Sequence, residues 1–484
     1  MTEPLHEPTP TPMHAARRPW RRLGWFLPLL LALPLAIKAW HDTSGSHDIL
    51  ASLAAKGLPT TPDQLNRWYA QLPPGENMAL PILDAAGAVR GPGPKATNYP
   101  YFHGRYPWLH ERSPLPGPPQ PVPPDDLAQW KKLVDGMPEA WAAMERARGR
   151  KLSRFPVDLR GGLKTLLPHL SPTKRLAQAC ALRALVAAEE LRPHDAALAI
   201  SDGLLVYESL LPEPLMISQL VAAAALHTTL HAASDVLSVT PLPEESLRPM
   251  QRKVESLATT NRIMGALLGE MCLQREIFRG SPAAQGMAMG MASPGTGSTG
   301  QQLAAAAFLA LYSATGLNAA DERFHLAQLE RMIAASSLPW PQPIDAPPSV
   351  ASLFQPANED AGLPAWTRGR MKSRMILPSM DGFASQDGES LARLRIAAAM
   401  FAIERFRLAH DGRLPQTLGN LVPDFIASVP LDPFDSKPIR YKPSSPGYSL
   451  HSIGKDRKDD DARPPQRSKT GSAAEPDVVL RVRR

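Results

Sequence analysis

The chain has 484 residues, a formal charge of +7, 43% hydrophobic residues and 53 prolines. Proline is about twice as frequent as the usual ~5%, and it neither continues a helix nor donates to a sheet ladder, which excludes one continuous regular core and an ordinary doubly wound α/β enzyme. Glycine, at 32 residues, is too scarce for collagen, and the apolar content is too high for wholesale disorder.

The first element is at the N-terminus. Arg17, Arg18, Arg21 and Arg22 stand before an apolar run from Leu23 to Ile37, which Ala39 and Trp40 extend past Lys38. Residues 23–40 as a helix span about 27 Å, enough for a thin bilayer. Trp20, Trp25 and Trp40 fall where interfacial aromatics belong. The arginines place the 1–22 tail in the cytoplasm by the positive-inside rule. A cleaved signal peptide has a similar apolar run, but Ala36 and Ala39 carry Pro34 and Ile37 at the −3 position, so an uncleaved anchor is the reading. The expected location is a bacterial inner membrane, single pass, with the bulk of the chain periplasmic and the lipid bilayer as a partner through 23–40. Elsewhere the basic residues are scattered, with no aromatic-interleaved basic patch, so no nucleic acid is expected.

Residues 41–160 hold 18 prolines, 161–335 hold 10 and 336–484 hold 18. The first of these regions reads as a proline-rich segment with short helices at 46–56, 62–72 and 124–148. Tyr69, Trp68, Tyr101, Phe102, Tyr106 and Trp108 concentrate aromatic character there, near His103 and His110. Residues 161–335 read as a helical domain, an antiparallel bundle or short α-solenoid jointed at Pro193, Pro212 and Pro214. Met250, Val254, Leu257, Asn261, Met264, Leu268 and Met271 repeat at spacings of four and three, which predicts one stripe on one continuous helix. Within this domain 281–303 is a small-residue flexible insertion, and 336–386 is a linker. Cys180 and Cys272 allow one disulfide in an oxidising compartment, but both fall in predicted apolar helices and read as buried free thiols.

From Ser390 a helix is expected to about His410, with Gly412 as its left-handed stop. A short helical turn over Thr417–Val422 follows, then strands at Ile439–Lys442, Tyr448–Ser452 and Asp477–Val482. The fold class is therefore mainly α, with a small α+β unit of one helix and a three-stranded antiparallel sheet at 387–484.

In order, FAIERFRLAHDGRLPQTLGNLVPDFI, VPLDPFDSKPIRY and GYSLHSIGKDRKDDD resemble the globular domain of the major pseudopilin of type II secretion systems. The resemblance covers residues 390–484. It implies a docking or assembly module in the cell envelope and a calcium ion in the loop after the second strand. Asp456 matches the family's aspartate there; Asp459, Asp460 and Asp461 offer further oxygens, with the Leu450 and Ile453 carbonyls as backbone ligands. Arg457 stands where the family has glycine, and a solvated mixed-charge loop is the alternative. Gly24 is followed by Trp25, with Leu29 rather than glutamate at the fifth position, so processing as a prepilin is not expected.

Other candidate groups lie in the helical domain. His227 and His231, four apart on one helix, can face a common metal, but Thr228 stands where a zinc peptidase has glutamate. Glu270, Arg275 and Glu276 share a helix, and Glu189 and Glu190 are adjacent on another. There is no nucleophile elbow or P-loop, and no G-x-G-x-x-G that follows a predicted strand as a dinucleotide fingerprint does. The expected function is a membrane-anchored envelope scaffold with protein partners; the alternative is a periplasmic enzyme using these carboxylates and histidines, which requires Glu270, Glu276, His227 and His231 to converge on one cleft.

Overall fold

Alanine- and leucine-rich sequence forms helix here, and among the described residues most prolines fall at the joints or in the first turn of a helix. The computed structural model describes residues 43–69, 71–89, 122–259, 261–280, 299–345, 370–377, 380, 382–444, 447–462 and 477–483. The tail 1–22, the expected membrane segment 23–40, the aromatic stretch at Tyr101, Phe102, Tyr106 and Trp108, residues 281–298 of the insertion and most of the 336–386 linker lie outside them. The described chain is mainly helical, with one small three-stranded antiparallel sheet near the C-terminus.

A helix over 43–55 comes first, then Pro62–Trp68, where the Thr61 hydroxyl accepts from the Gln64 amide and Pro62 occupies the first turn. Ala79–Ala88 is a helix that the proline count hides. Pro81 sits in its first turn, where an amide has no intrahelical acceptor to lose. The expected helix at 124–148 is two, Pro124–Asp135 and Pro138–Ala147, divided at Gly136 and Met137.

The centre is formed by Leu170–Glu189, Pro193–Leu210 and Met216–Val239, which pack against one another. Met216–Val239 is long and apolar enough to cross a membrane, but 72% of its apolar window is buried inside the protein, as befits a core helix. The predicted continuous stripe from Met250 to Met271 is broken: Glu244–Leu257 and Ile263–Arg279 are separate helices. Side chains at the break compete with the backbone ladder. The Thr259 hydroxyl donates to the Ser256 carbonyl, and Asn261 accepts from the Met264 amide while donating to the Ser336 carbonyl. Helix Thr299–Ala314 takes in the last residues of the expected insertion, and Leu317–Ala335 follows it after Gly316.

The C-terminal helix, Phe383–Ala409, begins seven residues before the expected Ser390, after Gly382 in the left-handed region. Gly412 stops it with φ +81° and donates its amide to the Arg407 carbonyl at 2.8 Å. A 3-10 turn, Leu418–Leu421, precedes β1 (Arg440–Ser444), β2 (Gly447–Ser452) and β3 (Val478–Val482). The sheet order is β1-β2-β3, with Tyr441 opposite Leu450 and Leu450 opposite Leu480.

This C-terminal unit shares its core with the helices before it. One cluster of buried apolar side chains contains residues from Leu53 to Val482. Phe383–Ala409 runs along Glu244–Leu257, and β3 lies on Met216–Val239. Two buried arginines fasten the junction. Arg262 pairs with Asp387 at 2.6 Å and donates to the Tyr207 hydroxyl at 2.9 Å; Arg405 pairs with Glu244 at 2.9 Å and donates to Gln251 and to the Phe425 carbonyl. Each arginine loses hydration and recovers it in directed hydrogen bonds, which fix how the elements meet.

Candidate functional site

The four carboxylates expected around calcium do not form one cage among the described residues. Asp456 accepts from the Lys458 amide in its own turn, and Asp461 pairs with Lys442. Asp460 donates its amide to Asp477. Calcium needs six to eight convergent hard oxygens, and a set in which Asp461 is turned to Lys442 and Asp459 to Arg440 does not supply them. The carbonyl of Leu450 lies in the middle of the strand that pairs on both sides.

Instead the fold brings together His451, Asp459 and Asp477, whose ligand atoms lie within 4.8 Å of one another. His451 is buried on β2 with Nε2 at 3.1 Å from Asp459 and 4.0 Å from Asp477. Asp477, buried just before β3, accepts from the Asp460 and Ala462 amides, and burial pushes its carboxyl above the ordinary carboxylate range. A metal on Nε2 would place the imidazole proton on Nδ1, which is buried without a partner. Arg440 also stands 3.6 Å from Asp459. The donor set therefore suits a hydrogen-bonded clasp that pins the 459–462 loop to the sheet. His451 and Asp477 were missed in the sequence because neither belongs to the DRKDDD run that drew attention.

Asp432 is the second centre in this unit. Its carboxylate is buried and accepts from the Ser452 hydroxyl at 2.8 Å, the Ile453 amide at 3.0 Å and the Phe434 amide at 3.0 Å, and it pairs with Arg440 at 2.5 Å. One side chain thus joins the VPLDPFD loop to β1 and to the end of β2.

A third polar centre sits in the helical layer. His169 Nε2 lies 3.0 Å from one Glu213 oxygen, and the Ser218 hydroxyl donates to the other at 2.6 Å. All three are buried. The carboxylate stands between the hydroxyl and the imidazole, so the imidazole cannot take the serine proton as it would in a nucleophilic triad. Arg154 and Tyr69 continue this polar layer: Arg154 lies over the Tyr69 ring and donates to the Tyr69 carbonyl, and the Phe155 amide donates to the Tyr69 hydroxyl.

Asp321 organises a fourth. Helix Met371–Ile376 has no side-chain cap of its own, and Asp321 accepts its Lys372 and Ser373 amides together with the Ser373 and Tyr312 hydroxyls. Lys372 is fully buried, donates to the Ile277 carbonyl and Asn318, and burial brings its ammonium down to about 8.

The residues required by the enzyme reading are not brought together. Glu270 accepts from the Met216 amide at 3.1 Å, at the start of Met216–Val239, and burial raises its carboxyl. His227 lies 11 residues along that helix, about 16 Å away by rise. Glu276 is exposed and stands against Gly162. His227 and His231 do share a face, with ring centroids 4.4 Å apart. Burial holds both well below the ordinary imidazole range, His231 down to about 3, with Arg393 adding positive potential. Of the Glu189 and Glu190 pair, Glu190 is engaged by Lys131 and Arg192. Cys180 and Cys272 are buried free thiols raised by desolvation.

His325 carries a testable consequence. It is fully buried beside Phe278, neither ring nitrogen has a hydrogen-bond partner, and burial lowers it to about 3. An unfolded histidine titrates near ~6.5, so between those values the unfolded chain binds the extra proton and stability falls as pH is lowered. Each such histidine contributes up to ~1.4 kcal/mol per pH unit. His325→Leu is expected to flatten the pH dependence of the denaturation midpoint below pH 6.5, and to exceed the parent by roughly 2 kcal/mol at pH 5. Parallel curves for parent and variant would contradict this.

Compared with protein-family models, with curated proteins and with solved structures, the chain matches none.

Proposed function

We propose that this protein is a membrane-anchored envelope scaffold, held in a bacterial inner membrane by residues 23–40 with its N-terminus cytoplasmic, which presents a pseudopilin-like assembly module. The supporting observation is the apolar segment behind four arginines, Arg17, Arg18, Arg21 and Arg22, together with a body in which the buried Arg262, Arg405 and Asp432 serve as internal joints. Arg262 and Arg405 hold the C-terminal helix on the helical layer, so the module is carried in a fixed orientation on one anchor. The C-terminal resemblance points to secretion or pilus-like systems as the source of its protein partners.

The exposed apolar residues of the module, Leu408, Val422 and Leu431, are where such a partner would be met. A photoreactive residue at Leu431 of the full chain is expected to give a discrete cross-linked adduct in membranes, and one at the exposed Leu166 of the helical layer is not. Absence of an adduct from Leu408, Val422 and Leu431 alike would remove the assembly role.

A further inference from the structure

Helix Thr299–Ala314 contains no charged residue, and it is apolar on two sides. Leu309 and Tyr312 face inward and are buried, whereas Leu303 and Leu311 are 66% and 63% exposed, with Ala307 and Phe308 exposed beside them. Positions 303, 307 and 311 are four apart, so the exposed residues form one continuous stripe rather than isolated contacts.

The origin of the described chain indicates what covers that stripe. Gly45 lies against the Arg323 side chain on Leu317–Ala335. Trp40, the last residue of the apolar segment, is five residues earlier, at most about 17 Å of extended chain. Arg323 is six residues from Leu317, about 9 Å of helix rise, and Gly316 there joins this helix to Thr299–Ala314. The described chain therefore begins beside the helical hairpin that bears the stripe, a few residues after the apolar segment ends. Met371–Ile376 borders the same hairpin, its first amide donating to the Tyr312 hydroxyl at 3.3 Å. It adds the exposed Met375 and, at its last turn, Arg374. Arg370 lies over Phe324 of Leu317–Ala335. An uncharged apolar helix face, on a hairpin whose neighbouring helix brings Arg370 and Arg374, has the composition of a surface that lies in the interfacial layer of an anionic bilayer.

We propose that the Leu303–Phe308–Leu311 face of this helix rests in the interface of the same bilayer that holds residues 23–40. This deepens the scaffold reading and rests on its anchor: with two attachments, the body is held against the membrane instead of swinging on a tether, and the orientation of the C-terminal module is set.

The test uses the full chain in phosphatidylethanolamine–phosphatidylglycerol vesicles. Leu311→Cys, Leu303→Cys and the control Leu166→Cys are labelled with an environment-sensitive fluorophore, and nitroxides are placed on the lipids. The native cysteines are buried, and unsubstituted chain provides the blank. The face predicts blue-shifted emission at 303 and 311 and at least twofold stronger lipid quenching than at 166. Equal quenching at all three positions would overturn it, and so would a blue shift without lipid quenching, which marks a contact with protein such as a second copy. Alkaline carbonate separates the two readings. Chain that is extracted after showing quenching at 311 supports the face and removes the anchor, whereas chain that resists extraction without quenching keeps the anchor and overturns the face.

Discussion

Gly269→Ala is expected to cost more than ~3 kcal/mol and to leave little folded protein. Gly269 lies in Ile263–Arg279 where that helix crosses the start of Met216–Val239, and an added Cβ would fall inside the Pro214 carbonyl group, with the Leu215 side chain 3.4 Å away. The obstacle is backbone, and it cannot rotate aside. Pro212 and Pro214 stiffen the strap, and the Leu215 amide is bonded to the Glu213 carbonyl at 2.9 Å. Withdrawal of the helix would also break the bond from the Met216 amide to Glu270, the side chain that serves a helix start whose own cap residue, Leu215, offers none. Next to it, the His169–Glu213–Ser218 centre would lose its packing. Solubility and a denaturation midpoint measured beside the parent provide the check. An unchanged midpoint would mean that the two helices do not cross as closely as described.

Asp432→Ala is expected to destabilise the C-terminal unit by about 3–5 kcal/mol, the range for removing one partner of a buried ion pair. The loss strands the Ile453 amide and the Ser452 hydroxyl and leaves Arg440 held by Asp435 at 2.5 Å and, more loosely, by Asp459. Asp432→Asn keeps the shape and at best part of the acceptor capacity, and is expected to fall between alanine and the parent. Because β3 and Phe383–Ala409 lie in the same buried cluster as the helical layer, the alanine variant is expected to lower the midpoint of one shared transition. Two transitions, with only the smaller displaced, would instead indicate a C-terminal unit that unfolds by itself.

The parts of this fold that were legible in the sequence are those set by local chemistry. Pro193, Pro212 and Pro214 mark the helical joints, Gly412 stops the last helix, and alternation locates all three strands within two residues. Periodicity failed where hydrogen bonding overrode it. The stripe from Met250 to Met271 continues through a break because Thr259 and Asn261 satisfy backbone groups with their side chains, and the same apolar spacing serves two helices as well as one. Ala79–Ala88 was hidden because proline in a first turn looks like proline in a loop.

Side-chain centres were less legible, since each depends on residues far apart in the chain. Asp459 drew attention as part of an acidic run, yet its partner His451 is eight residues upstream and Asp477 lies beyond the loop. Asp321 meets Lys372 and Ser373 across some 50 residues, and Arg405 meets Glu244 across 161. Asp432 did carry a local signal: an aspartate between Leu431 and Pro433, ahead of Arg440, is placed to collect the turn amides and the strand's guanidinium. Glu213, enclosed by Pro212 and Pro214, is a similar case.

The proposed scaffold stands on the orientation of the chain across the membrane. The most direct test joins alkaline phosphatase, active only outside the cytoplasm, or a cytoplasm-dependent fluorescent reporter to Arg484 of the full chain. Active phosphatase with a silent fluorescent partner is predicted, with both fusions remaining in the membrane after alkaline extraction. Inactive phosphatase with a bright fluorescent fusion would place the body in the cytoplasm and contradict the account.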